Sequence, residues 1–182
     1  MTDLGGDLTA LAEQVERSIA WVSRHASTFG GDARRIHLSG HSSGAHLLGV
    51  ALTRDWKARN CVDPRTLRSA LLLSGIYDLE PVSLSERSRH VQLGDPDVVS
   101  DLSPVRNART FACPVVVGYG SLDMPEYQHQ SKAFVDELKS SGKQAALLKA
   151  DFYNHFEQLE TLGNPLGTFG RVALGQIASH HS

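Results

Sequence analysis

Residues 35–52 decide the fold: Arg35-Ile36-His37-Leu38-Ser39-Gly40-His41-Ser42-Ser43-Gly44-Ala45-His46-Leu47-Leu48-Gly49-Val50-Ala51-Leu52. Arg35 to Ser39 is short and β-compatible, and Ser43 to Leu52 is a small, apolar run that reads as a buried helix. Between them Gly40-His41-Ser42-Ser43-Gly44 fits G-x-S-x-G. In that pattern the serine occupies a strained strand-to-helix turn that lifts its hydroxyl out of the sheet, and the glycines let neighbouring backbone come close. With Gly and Ser each near ~7% of residues, such a pentapeptide arises by chance in roughly one chain of this length in twenty. The surroundings therefore have to carry the reading.

Upstream, Leu8, Leu11, Val15, Ile19 and Val22 recur at three- and four-residue steps behind Asp7, a ready N-cap, and predict an amphipathic helix over 8–25 that Gly30-Gly31-Asp32 ends in a turn. Downstream, Ala70 to Ser74 and Val115 to Gly118 are apolar runs bounded by Gly and Pro, as central parallel strands are, and Ala145 to Lys149 is a weaker third. Phe134, Val135 and Leu138 mark one face of a helix over Gln130 to Ser140; Phe169, Val172, Ala173 and Ile177 mark a closing helix. Strands alternating with helices predict the α/β class, with a parallel sheet covered on both faces. A chain of 182 residues without repeats or low-complexity tracts is expected to form a single domain over 1–182.

A serine hydroxyl becomes a nucleophile only when an imidazole takes its proton, and that imidazole needs an acceptor on its other nitrogen. Asp123 follows the strand Val115 to Gly118 through a short loop, and His155 follows the strand Ala145 to Lys149, so each sits where α/β sites gather. The order is Ser42, then Asp123, then His155, with the N–H of Ser43 as a donor for the oxyanion. Glu126 and Asp151 are rival acids, Glu126 with ordinary capping work after Pro125 at a helix start. His41 is expected to pack or hydrogen-bond locally instead of acting as base. His180-His181 reads as a tail.

The net charge is −2, which offers no field for phosphate backbones, so nucleic-acid binding is disfavoured. Cys61 and Cys113 have neither disulfide-framework nor zinc-site spacing. His37, His41 and His46 lack the i, i+4 pairing with a glutamate that would put two ligands on a helix face. Neither a metal nor a cofactor is expected, a cytoplasmic setting is, and neither a leader nor a membrane span is read from the sequence.

Four blocks in one order carry a resemblance: Ile36 through Leu47, then Tyr77-Asp78-Leu79-Glu80-Pro81, then Pro125-Glu126-Tyr127 ahead of Gln130-Ser131, then Asn154-His155-Phe156-Glu157. Together they resemble the kynurenine formamidase branch of the α/β-hydrolases, a branch similar also to bacterial carboxylesterases. The resemblance implies an α/β-hydrolase fold, Ser42, Asp123 and His155 as nucleophile, acid and base, and a small-molecule formamide or ester as substrate. It also implies that Asp55-Trp56 and Asp78 to Pro81 line or brace the pocket. Such enzymes start with further strands and a His-Gly-Gly type loop that donates N–H groups to the oxyanion. Here the first strands and that loop are missing, and Gly5-Gly6 is no substitute, because it precedes a helix. The expectations that follow are reduced activity and an unpaired sheet edge leading to aggregation, a homodimer or marginal stability. The competing expectation is an inactive fragment serving as a binding module.

Overall fold

Asp7 accepts the Ala10 N–H at 2.9 Å and so starts the first helix of the computed structural model, which describes residues 5–179. That helix, α1 (Leu8–His25), has the bounds its periodicity predicts. It leads to β1 (Ile36–His41), α2 (Ser43–Leu52), the short α3 (Trp56–Asn60), β2 (Leu67–Leu73) and two more short helices, α4 (Glu80–Ser83) and α5 (Pro96–Asp101). The chain closes with β3 (Val115–Gly120), α6 (Pro125–Ser140), β4 (Ala145–Ala150), α7 (Glu157–Gly163) and α8 (Thr168–Ala178).

The four strands form one parallel sheet in the order β1-β2-β3-β4. Period-2 alternation divides β2 between its faces. Ala70 and Leu72 pack with Ala45, Leu48 and Leu52 of α2, Ile19 of α1 and Phe134 of α6, while Leu71 and Leu73 face Phe169 of α8. Helices thus cover both faces, and every residue of β2 but Arg68 is buried, which is why this strand reads as a continuous apolar run. Among the described residues β1 pairs with β2 and has no strand on its outer side.

Some boundaries differ from those expected. β1 runs on through Gly40 and His41, because these still pair with Leu72 and Leu73. α6 begins at Pro125, a residue suited to a first helical position since its missing N–H would have no partner there. In α8 Phe169 and Gly170 are buried, whereas Ile177 is 42% exposed, so the packed face ends short of it. None of the described helices is long and apolar enough to cross a membrane. The His180-His181 tail lies outside the described residues.

Candidate active site

Parallel strands put all their C-terminal ends on one edge, and Ser42, Ser74, Asp123 and His155 lie just beyond β1, β2, β3 and β4 in turn. Ser42 joins β1 to α2 with φ 56° and ψ −123°, a left-handed conformation that costs a non-glycine residue of order 1–3 kcal/mol. Its N–H bonds the Leu73 carbonyl at 2.8 Å, and its own carbonyl accepts the His46 N–H at 3.1 Å, so strand and helix hold the turn from either side. Gly40 is needed for this turn: a Cβ there would stand 2.7 Å from the Gly44 carbonyl oxygen. Gly44 is different. A Cβ on it would meet nothing within 4 Å, so close backbone approach, expected for both flanking glycines, explains Gly40 only.

His155 Nε2 lies 2.9 Å from Ser42 Oγ, and His155 Nδ1 lies 3.1 and 3.3 Å from the two carboxylate oxygens of Asp123. A carboxylate accepts, so Nδ1 bears the proton and the Nε2 lone pair faces the serine hydroxyl. The Asp123 side chain is fully buried, and its charge is balanced by donors: the Met124 N–H at 2.9 Å and Gln158 Nε2 at 3.1 Å besides the imidazole. Gln158, itself fully buried, accepts from Ser74 Oγ at 2.9 Å. The hydrogen-bonded path therefore runs Ser74, Gln158, Asp123, His155, Ser42, and touches the ends of all four strands.

The loops carrying Asp123 and His155 touch backbone to backbone. A Cβ on Gly120 would fall 2.1 Å from the Tyr153 carbonyl oxygen, and that carbonyl accepts the Leu122 N–H at 3.0 Å. His41 adds a third tie, with Nε2 2.8 Å from the His155 carbonyl and its ring centroid 4.6 Å from the His155 ring. This corrects the expectation of a local role: the partner is distant in sequence. Partial burial lowers the His41 pKa, with the bond to the His155 carbonyl acting against that shift. The Tyr127 ring, 4.5 Å from that of His155, closes the other side.

The rival acids do ordinary work. Glu126, exposed in the first turn of α6, accepts from Gln130 Nε2 at 2.7 Å. Asp151 is exposed and pairs with Lys149 at 2.7 Å. Asp55 caps α3 and Trp56 is buried in the core beneath it, so this pair braces the fold without lining the cleft. Leu79 does line it, while Asp78 pairs with Arg106 at 3.1 Å. Gln158 and Ser74 were missed. The signal that could have found Gln158 is an amide one helical turn after a candidate histidine.

Above Ser42 opens a cleft of about 270 Å³. Ser42 and Ser43 form its polar base, and Leu8, Ile76, Leu79, Val82 and Val91 give hydrocarbon walls. Ser43 is the first residue of α2, where the helix itself offers the N–H no acceptor. A hydroxyl on a base and an N–H for a developing negative charge form one constellation at the floor of an apolar cleft.

The BD-FAE family model matches residues 6–138. Kynurenine formamidase of Danio rerio is 30% identical over 162 residues, which cover 86% of this chain and 53% of that protein. Esterase LipC of Mycobacterium tuberculosis is 30% identical over 142 residues, 69% of this chain and 35% of the relative. The chain thus spans about half the length of the kynurenine formamidases it matches, and less of this esterase. Among solved structures, the acetyl ester-xyloside bifunctional hydrolase of Caldicellulosiruptor lactoaceticus superimposes with a TM-score of 0.71 at 20% identity, over 92% of this chain and 65% of that one. Carboxyl esterase 2 of Tuber melanosporum gives 0.65 at 16% identity, over 88% and 58%. Those two likenesses concern the fold, and with the family match they make the chain an α/β-hydrolase that belongs to the BD-FAE family.

Proposed function

We propose that this chain is a serine hydrolase that transfers the acyl group of a small ester or formamide to water, with the specificity of an arylformamidase or a carboxylesterase. The observation that carries the reading is the hydrogen-bonded path from Ser42 through His155 to buried Asp123 at the floor of an apolar cleft. In this scheme His155 Nε2 takes the Ser42 proton as Oγ attacks the carbonyl carbon, and the Ser43 N–H receives the oxyanion. His155 then hands the proton to the departing alcohol or amine. A water, deprotonated by the same nitrogen, releases the acid and restores Ser42. Asp123 keeps its charge throughout and stabilises the imidazolium. The apolar walls favour uncharged groups of modest size.

Labelling with a fluorophosphonate, read by intact mass, tests the proposal. One adduct that disappears in Ser42→Ala supports it. No adduct on a sample shown to be folded favours the inert binding module instead. If the wild type labels, Ser42→Ala of the unlabelled protein is expected to lower kcat by ~10⁶. Rates on N-formylkynurenine and on short p-nitrophenyl esters then separate formamidase from carboxylesterase.

A further inference from the structure

In the proposed reaction the His155 ring carries a positive charge while it holds the Ser42 proton, so whatever lies against that ring bears on the rate. Asp123 accepts from Nδ1 and the Ser42 hydroxyl faces Nε2, which engages both nitrogens in the ring plane. Three further rings pack on His155: His41 of β1 with centroids 4.6 Å apart, Tyr127 of α6 at 4.5 Å, and Phe156 of its own loop at 5.3 Å.

Tyr127 differs from the other two. Its plane is inclined only 31° to that of His155. Rings lying side by side could not come so close, so the imidazole lies over the phenol face, the negative side of the ring quadrupole. Tyr127 is 7% exposed, and water screens the pair little, whereas Phe156 stands perpendicular to His155 and is 77% exposed. His41 is tilted by 47° and spends its Nε2 proton on the His155 carbonyl. The phenol is also anchored. Three residues along α6, Gln130 fastens this end of the helix to the loop after β2: its Oε1 accepts the Tyr77 and Asp78 N–H groups at 2.6 and 2.8 Å, and its Nε2 donates to the Asp78 carbonyl at 3.1 Å. Among the described residues, the titratable groups in contact with the His155 side chain are Asp123, His41 and Tyr127. The nearby carboxylates have other partners, Glu157 the Asn154 N–H at 2.8 Å and Glu126 the Gln130 amide at 2.7 Å.

We infer that Tyr127 is a positioning residue for the proposed base: its ring face keeps the imidazole on the line from Asp123 to Ser42 and favours the imidazolium formed when Nε2 takes the serine proton. The inference rests on the acyl-transfer reading and adds a residue to it. A cation over an aromatic face is attracted by the quadrupole, more strongly where water is kept away. The face does this and the hydroxyl does not, so a plain phenyl ring serves as well.

The test compares the full chain with Tyr127→Phe and Tyr127→Leu. One readout needs no turnover: the pH midpoint of the His155 ring resonances by NMR, assigned with His155→Gln. Tyr127→Leu replaces the ring by hydrocarbon without a quadrupole and is expected to lower the midpoint by about half a pH unit or more, whereas Tyr127→Phe stays within about 0.2 of the wild type. On p-nitrophenyl acetate, kcat of Tyr127→Leu is expected to lie about fivefold or more below that of Tyr127→Phe, with a smaller change in KM. Phenylalanines with 4-fluoro and 3,4,5-trifluoro rings at position 127 keep the shape, and with it the fold, while draining negative charge from the face. The midpoint is expected to fall from phenyl through monofluoro to trifluoro. A midpoint that is constant along that series overturns the inference. So does a midpoint in Tyr127→Phe as low as in Tyr127→Leu, which would assign the effect to the hydroxyl, or a loss in Tyr127→Leu confined to KM. Failure of the wild type to hydrolyse any ester or formamide sinks the acyl-transfer reading instead, and the titration still decides what the Tyr127 face does to His155.

Discussion

His41 Nε2 and the carbonyl oxygen of His155 lie 2.8 Å apart across 114 residues of sequence, tying the strand before Ser42 to the loop that holds its proposed base. The carbonyl accepts, so the His41 ring donates from Nε2. Loss of this tie lets the His155 loop drift, and drift of about 1 Å in a reacting group can cost as much as ~10²-fold in rate. His41→Ala is expected to lower kcat ten- to a hundredfold, on the order of the misplacement cost, with KM little changed. His41→Gln, which retains an N–H donor, should recover most of it. Steady-state kinetics on one p-nitrophenyl ester compares the three proteins.

Gln158 holds the far oxygen of Asp123 at 3.1 Å and is held in turn by Ser74. Gln158→Ala takes a donor from a buried carboxylate and leaves the Ser74 hydroxyl without its partner. The expected cost is about 1–3 kcal/mol of stability, with a fall in kcat exceeding any rise in KM. Urea unfolding read by circular dichroism measures the first, and ester kinetics the second. An unchanged unfolding midpoint would refute the role given to Gln158.

The two glycines beside Ser42 should respond in opposite ways. Gly40→Ala pushes a methyl against the Gly44 carbonyl at 2.7 Å and is expected to destabilise by roughly 1–3 kcal/mol, as overpacking does, with loss of fluorophosphonate labelling. Gly44→Ala enters open space inside a helix, where alanine gains up to about 1 kcal/mol over glycine. Its melting temperature should equal or exceed that of the parent.

His46 makes stability depend on pH. Its folded-state pKa lies below the ordinary value of 6.5 because it is buried, so the unfolded chain binds the proton more tightly. The stability contributed by the neutral ring is complete above about 6.5 and is lost as pH falls from there through the lowered folded-state value. Half-buried His41 shifts in the same direction. Urea midpoints should therefore drop between pH 7.5 and pH 5, and His46→Asn should flatten part of the drop. A wild-type midpoint that does not change over this interval would contradict the burial argument.

That Ser42, Asp123 and His155 meet was legible because the proposed acyl transfer demands particular residue types just beyond particular strands. Asp123 and His155 each follow an apolar run, and Ser42 follows a short β-compatible stretch within the G-x-S-x-G pattern. The supports of that site were not legible. Gln158 and Ser74 are 84 residues apart and meet only once β2 and α7 are packed, and a buried amide leaves no periodic trace. The partner of His41 was hidden for the same reason. α3, α4 and α5 have five, four and six residues, too few for a helical period to show. Ile177 continues an apolar period that the packing does not use, since sequence repeats cannot register where a neighbouring surface stops.

The φ of 56° at Ser42 places the residue proposed to do the chemistry where glycine would be more comfortable. A chain selected for durability alone would therefore be expected to abandon this serine early, and Ser42→Gly should melt above the parent while labelling not at all. That the side chain and the torsion it burdens occur together makes Ser42 a place where fitness for work and ease of folding pull in contrary directions.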